Sequence, residues 1–309
     1  MNIANLKKRV FFVLWAIPLA WWIINSNFSF FSLLPESVKT LLSGRHNVDL
    51  FPGHLLAITV AFLACYEYLQ LLKQLYPKNA FWLVYIWLAL QIISYFIPDN
   101  FLRMQHDIYI LLIFIAFEAF LWGKHTGRWK RASLLFSGTI FLAIAVLSML
   151  DFYSLPFQKV FPRQFNHTML SQLGIVTVLT AIFLCDSAAF FAGNFFGKHH
   201  FSSISPKKTI EGGIAGLITA IIICSLGWYF FADRSTYHLI FGIIMGGLIG
   251  IFAQIGDMLV SLIKRYFQVK DTSNMIPGHG GILDRFDSLF FTAPVVHLFI
   301  TIIDKIVIK

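Results

Sequence analysis

Residues 237–263 read YHLIFGIIMGGLIGIFAQIGDMLVSLI, and residues 264–287 read KRYFQVKDTSNMIPGHGGILDRFD. A hydrocarbon core of about 30 Å is crossed by about 20 helical residues, so the first stretch is long enough to span. It contains one carboxylate, Asp257. The second stretch carries seven Lys, Arg and Asp side chains, with His279 among them. Lipid tolerates ions only when they are paired or face water. The junction therefore ends a span and also marks the densest chemistry in the chain.

Working outward, apolar segments of similar kind occur near 10–25, 51–72, 80–97, 107–123, 132–150, 168–193, 213–231 and 288–303. The 309 residues are 58% hydrophobic and 13% charged, with 34 Phe and a mean hydropathy of +0.73. A soluble domain could not bury that much apolar surface. The expected fold is all-α, a polytopic integral membrane helical bundle of about nine transmembrane helices. It is read as one membrane unit, with N-terminal helices over 1–170 and the catalytic helices and their loops over 171–309. Segments slightly short of spanning length are accommodated by tilt or snorkelling. The first segment follows Lys7, Lys8 and Arg9 and runs into Trp21 and Trp22 without a small-residue cleavage site, which favours a retained helix. Phe28, Phe30 and Phe31 in the 26–50 connection suggest contact with the membrane.

Counted over alternate connections from the N-terminal tail, Lys and Arg number sixteen on one side and eight on the other. The positive-inside rule then puts the N-terminus in the cytoplasm and, with nine spans, the C-terminus outside. The connections 194–212 and 264–287 share the cytoplasmic face. The net charge of +9 lacks a basic tail or RNA-binding pattern, so it argues for anionic headgroups or phosphorylated substrates rather than nucleic acid. Cys65, Cys185 and Cys224 lie in apolar stretches without metal spacing and read as buried thiols.

Four carboxylates fall within spans: Glu67, Glu118, Asp186 and Asp257. They are expected toward the cytoplasmic ends, grouped at a polar chamber or, for Glu67 and Glu118, snorkelling to the interface. Asp257, Ser261, Lys264 and Arg265 stand at i, i+4, i+7 and i+8, one face of a helix. That face reads as a structural ion pair or as part of a site. Lys270 and Asp271 follow, then Pro277, Gly278, His279, Gly280 and Gly281, a tight turn whose amides suit phosphate oxygens. Asp284 and Asp287, spaced i, i+3 around Arg285, open the last helix. Acids are favourable there in any case, but with Asp257 they also offer hard oxygen ligands that suit Mg²⁺. His279 reads as a general base, a phosphate donor or a turn residue.

A second constellation starts at Asp186, with Gly193 and Gly197 on the same helix face, where small residues permit close packing. It ends in Ser205, Pro206, Lys207, Lys208, Thr209, Ile210, Glu211, Gly212 and Gly213. Paired lysines and hydroxyls suit a polyphosphate, although the string also fits a basic juxtamembrane loop, and Thr209 fits a helix start. Neither G-x-x-x-x-G-K-[ST] nor G-x-G-x-x-G occurs, so soluble nucleotide-binding folds are not indicated. Cations beside carboxylates that can hold a metal are what phosphoryl or nucleotidyl transfer requires.

The run Ser261-x-x-Lys264-Arg265-x-x-x-x-Lys270-Asp271-x-Ser273-x-x-Ile276-Pro277-x-His279-Gly280-Gly281-Ile282-x-Asp284-Arg285-x-Asp287 resembles the signature of phosphatidate cytidylyltransferases, or CDP-diacylglycerol synthases. Asp186 and the string at 205–213 are similar too. The likeness is strong from about residue 180 onward. It implies a homodimerising membrane enzyme of phospholipid biosynthesis, in a bacterial inner membrane, that joins CTP and phosphatidic acid. It further implies Mg²⁺, with room for a second cation, on Asp257, Asp284 and Asp287. Lys264, Lys270 and Arg285 join those acids as expected catalytic residues. Asp186, Ser205, Lys207, Lys208, Thr209, Glu211, Ser261, Arg265, His279, Gly280 and Gly281 are expected to bind substrate. Rival readings are a CDP-archaeol synthase, a polyprenol or phytol kinase, an ion-coupled transporter and a catalytically lapsed relative.

Overall fold

The computed structural model describes residues 52–73, 81–96, 138, 141–150, 167–200, 205, 208–231, 236–276 and 280–307. The expected spans at 10–25 and 107–123, the 26–50 connection, Glu118, Lys207 and His279 lie outside the described residues. Among those described, the regular structure is helical: α1 (Pro52–Leu72), α2 (Phe81–Phe96), α3 (Phe141–Leu150), α4 (His167–Phe196), α5 (Ile210–Phe231), α6 (Thr236–Tyr266) and α7 (Leu283–Val307). Bridges between His200 and Thr209 and between Ile276 and Gly280 are the only strand-like pairings there. Five of these helices, all but α2 and α3, are long and apolar enough to cross a bilayer. For α1, α2 and α4 to α7 the sequence boundaries are matched within about five residues, where caps rather than hydropathy set the ends, and α3 covers 141–150 of the expected 132–150.

The residues divide into two compact units. The first comprises residues before 151 together with Thr272–Leu283. In it α1 and α2 pack together, and α1 buries Ala57, Ala61, Ala64, Cys65, Tyr68, Leu69 and Leu72. Spacings of three and four place these side chains on one face.

The second unit holds residues 151–271 and those from Asp284 on. Here α5 packs against both α4 and α6. The approach of α6 to α5 depends on a stripe of small residues. A Cβ built at Gly242, Gly246 or Gly250 would lie 2.5 to 2.9 Å from the Cα of Ser225, Ile221 or Leu217. Lipid gives little hydrophobic drive for helices to associate, so close backbone packing of this kind supplies the attraction. On α5, Ile214, Ile218, Ile222 and Leu226 form an exposed row at intervals of four. Apolar side chains left uncovered on a spanning helix are suited to lipid tails.

The end of α6 is defined by backbone geometry. Gln268 has φ 57°, its N–H donates to the Arg265 carbonyl at 3.0 Å, and the Val269 N–H donates to the Lys264 carbonyl at 2.9 Å. This is the Schellman pattern, built on a non-glycine left-handed residue. Lys264 and Arg265 thus occupy the last turn, where the helix dipole favours cations.

Candidate active site

The second unit gathers its ionisable side chains from four elements. Asp186 comes from α4, Lys208 from the loop before α5, Asp257, Ser261 and Lys264 from α6, and Asp284 and Asp287 from α7. The i, i+7 spacing of Asp257 and Lys264 does place them on one face, but they do not pair with each other. Lys208 Nζ lies 2.6 Å from Asp257 Oδ2, and Lys264 Nζ lies 2.7 Å from Asp284 Oδ1. The Ser261 hydroxyl approaches Asp257 Oδ1 at 3.5 Å, a weak contact.

The two pairs differ in setting. The side chains of Lys208 and Asp257 keep 27% and 36% exposure, but the Lys208 Nζ atom itself is buried and makes no well-directed hydrogen bond, so its charge rests on the nearby carboxylate. Those of Lys264 and Asp284 keep 13% and 6%. Such a pair has lost most of its hydration, and either partner alone would be costly there.

Asp287 is buried, and its Oδ1 accepts the Ser288 N–H at 2.7 Å. The Ser288 hydroxyl approaches Asp287 Oδ1 at 3.5 Å, and Asp186 is near enough to Ser288, Asp257 and Lys208 for them to act on its charge. Asp287 lies within electrostatic reach of Asp257, Asp186 and Lys264. The neighbour of Asp257 explains this convergence. A Cβ on Gly256 would sit 2.7 Å from the Asp287 carbonyl oxygen and 2.9 Å from Phe291 Cβ. Glycine therefore lets α6 meet the first turns of α7 where their carboxylates must come together.

Other expected site residues have local duties. The Thr209 hydroxyl accepts the Gly212 N–H at 3.2 Å, three residues on. This N-cap contributes about 1 kcal/mol and matches the helix-start reading. The same side chain fills the space left by Gly193 and Gly197, which matches the close packing expected of them. Glu211 turns to His199, with Nδ1 and Oε1 2.6 Å apart, and accepts the His199 N–H at 3.3 Å. With the Ile210 N–H donating to the His199 carbonyl at 2.9 Å, it closes the base of the 199–210 loop. The Ser205 carbonyl accepts the Lys208 N–H at 3.0 Å. Arg265 reaches back to the Val269 carbonyl at 3.3 Å. Lys270 and Arg285 are exposed. Gly280 and Gly281 belong to the first unit.

Gly256, Gln254 and Ser288 were not singled out in the sequence. Gln254 donates to the carbonyls of Gly213 and Gly250 at 2.9 Å each, tying α5 to α6 one turn before Asp257. The available signal was adjacency, since Gly256 precedes Asp257 and Ser288 follows Asp287.

Four carboxyl groups share two ammonium groups in this cluster, a donor set of hard oxygens short of positive charge. Among the described residues no three His, Cys, Asp or Glu side chains converge tightly enough to enclose an ion. That arrangement fits Mg²⁺, which binds through one or two carboxylates and completes its shell with water and substrate phosphates.

The sequence model of the cytidylyltransferase family matches residues 7–303. The chain belongs to the cytidylyltransferase family. It is 39% identical over 153 residues to the phosphatidate cytidylyltransferase of Synechocystis sp., covering 48% of this chain and 51% of that protein. It is 27% identical over 263 residues to the phosphatidate cytidylyltransferase of Bacillus subtilis, covering 82% and 91%. A third, from Staphylococcus aureus, is 38% identical over 125 residues, covering 40% and 47%. The chain thus spans about half the length of two of these relatives and nearly all of the Bacillus protein. Family membership agrees with the resemblance carried by residues 261–287.

Proposed function

We propose that this protein transfers the cytidylyl group of CTP to phosphatidic acid, giving CDP-diacylglycerol and pyrophosphate in phospholipid biosynthesis. The observation that carries this reading is the cluster of Asp186, Asp257, Asp284 and Asp287 with Lys208 and Lys264, in a chain of the cytidylyltransferase family whose relatives are named phosphatidate cytidylyltransferases. Carboxylates alone would repel a triphosphate, and lysines alone would only bind it. Together they suit a substrate that arrives as a metal complex.

In this reaction an oxygen of the lipid phosphate bonds to the α-phosphorus of CTP. The bond from that phosphorus to the bridging oxygen breaks, and pyrophosphate leaves with the electron pair. A phosphate monoester has a second pKa of about 6, so the nucleophile is ionised at neutral pH without a protein base. The protein's task is positioning and charge neutralisation. Lys208 and Lys264 stand ready to exchange a carboxylate partner for phosphate oxygens. Lys207, Lys270 and Arg285 add positive charge, and Ser205 orients oxygens. One or two of Asp257, Asp284 and Asp287 would hold Mg²⁺, with water and substrate phosphates completing its shell, and the ion would supply charge neutralisation at the phosphates when bound.

We place the site on the cytoplasmic face of a bacterial inner membrane, because Lys and Arg concentrate in the connections on that side. The lipid headgroup enters laterally, leaving its acyl chains against the apolar helix faces. Purified protein given phosphatidic acid, Mg²⁺ and CTP labelled at the α-phosphate should transfer label to lipid. Transfer of a γ-label instead would replace this reading with a lipid kinase.

A further inference from the structure

Glu67 sits within α1, five residues before its end at Leu72. That position suggested a side chain snorkelling to the interface. Instead its carboxylate is fully buried, at 0% exposure. It accepts four hydrogen bonds, all within the first unit. Oε1 receives the Ser273 hydroxyl at 2.6 Å and the Ile282 N–H at 2.8 Å. Oε2 receives the Thr272 hydroxyl at 3.0 Å and the Leu283 N–H at 2.8 Å. Two donors on each oxygen is close to the full capacity of an ionised carboxylate.

These partners fall in two groups with the Gly-rich turn between them. Thr272 and Ser273 precede the turn, while Ile282 and Leu283 leave it. Leu283 is the first residue of α7, so its N–H is one of the donors that a helix start leaves unpaired. Glu67 acts there as an N-cap supplied by a distant helix, with its negative charge at the positive end of the helix dipole. Ser273 also accepts the Met275 N–H at 3.0 Å, and the Ile276 N–H donates to the Gly280 carbonyl at 2.9 Å. One carboxylate thus anchors both ends of a turn whose own bonds close over 277–279. The fit is tight, since a Cβ on Gly281 would overlap the Glu67 carboxylate and the Thr272 hydroxyl. Ser273 and Gly281 belong to the 261–287 run, in which Gly281 reads as a phosphate-binding glycine and Ser273 has no assigned role. Glu67 accounts for both.

We propose that Glu67 is a positioning residue for cytidylyl transfer. It fixes the conformation of residues 272–283 and the point at which α7 begins, and so sets the register of Asp284 and Asp287, one and four residues past Leu283. This inference rests on the proposed function for its link to turnover. The clamp itself is a separate claim about the turn. Glu67→Gln keeps the shape but presents an NH₂ group to donors. The hydroxyls of Thr272 and Ser273 can rotate in response, whereas the N–H groups of Ile282 and Leu283 cannot.

The test combines hydrogen exchange with steady-state kinetics on the purified full chain. In Glu67→Gln, the amides of 282–283 should exchange about tenfold faster or more, with peptides of α5 and α6 unchanged. The KM for CTP should rise about tenfold or more, since misplacement of about 1 Å is enough for such losses. A merely structural role would lower the active fraction and leave KM unchanged. Thr272→Val should show the same effects more weakly, while Thr272→Ser, which keeps the hydroxyl, should behave as wild type. This pair decides the matter if Glu67→Gln does not fold. Wild-type exchange at 282–283 in Glu67→Gln and Thr272→Val would overturn the clamp, and faster exchange with unchanged KM would overturn its role in turnover. If the wild-type protein transfers no cytidylyl group, the functional reading fails and the exchange arm still decides the clamp.

Discussion

The Lys264 ammonium lies 2.7 Å from the Asp284 carboxylate, with both side chains largely withdrawn from solvent. The two residues are twenty positions apart and belong to different helices, so this pair joins the last turn of α6 to the first turn of α7. Removing one partner leaves an uncompensated charge, whereas removing both leaves none. Lys264→Met should therefore destabilise the protein by about 3–5 kcal/mol, and adding Asp284→Asn should recover most of that loss. Thermal unfolding in detergent measures both. Equal destabilisation by the single and double variants would show that the pair is not coupled as described.

Asp287 is buried beside the α6–α7 approach, within reach of Asp186, Asp257 and Lys264. Asp287→Asn preserves volume and the hydrogen bond from the Ser288 N–H but removes the charge. Turnover should fall by about a hundredfold or more, as when a group that positions or neutralises reacting phosphate is lost. Membrane insertion, yield and unfolding temperature should be close to wild type. Activity near wild type would remove Asp287 from the site.

Gly256→Ala introduces a single methyl group aimed at the Asp287 backbone carbonyl and Phe291. Backbone on one side leaves little room for relaxation, so the helices must separate by some tenths of an ångström or more. We expect about a tenfold loss of kcat or more from that displacement, with a cost of about 1–3 kcal/mol from overpacking. Gly247→Ala is the control, because a Cβ there meets nothing within 4 Å.

Chelation should abolish turnover, and Mg²⁺ should restore it. The donor set is oxygen alone and requires water and substrate to complete a metal shell, so the metal should bind weakly without CTP. Titration calorimetry in the presence and absence of a non-hydrolysable CTP analogue would show this as a rise in Mg²⁺ affinity. Full activity in excess chelator would rule out a metal-dependent site.

Much of the site is legible in the sequence because its parts are local. The spacing of Asp257, Ser261 and Lys264 defines a helix face, and Asp284 with Asp287 marks a helix start; both features appear as read. Hydropathy likewise locates the described spans, since each helix must cover its own backbone polar groups in lipid. What the sequence could not reveal is pairing between helices. Lys264 binds Asp284 rather than Asp257, and Asp257 binds Lys208 instead. Glu211, expected at a substrate, closes a loop through His199. Glu67 lies more than two hundred positions from the residues it holds, and its burial reverses the snorkelling that its place near a helix end suggested. Such contacts depend on which helices become neighbours, which the periodicity of one segment does not encode.

The central claim is that the acidic and basic cluster on α4 to α7 transfers a cytidylyl group to a lipid phosphate. The most direct measurement follows α-labelled CTP with phosphatidic acid and Mg²⁺, using purified wild-type protein and Asp287→Asn side by side. The account predicts labelled lipid and an equal amount of pyrophosphate from the wild type, with both products formed about a hundredfold or more slower by the variant. Label that stays in the nucleotide with wild-type protein, or enters lipid equally well with Asp287→Asn, would contradict it.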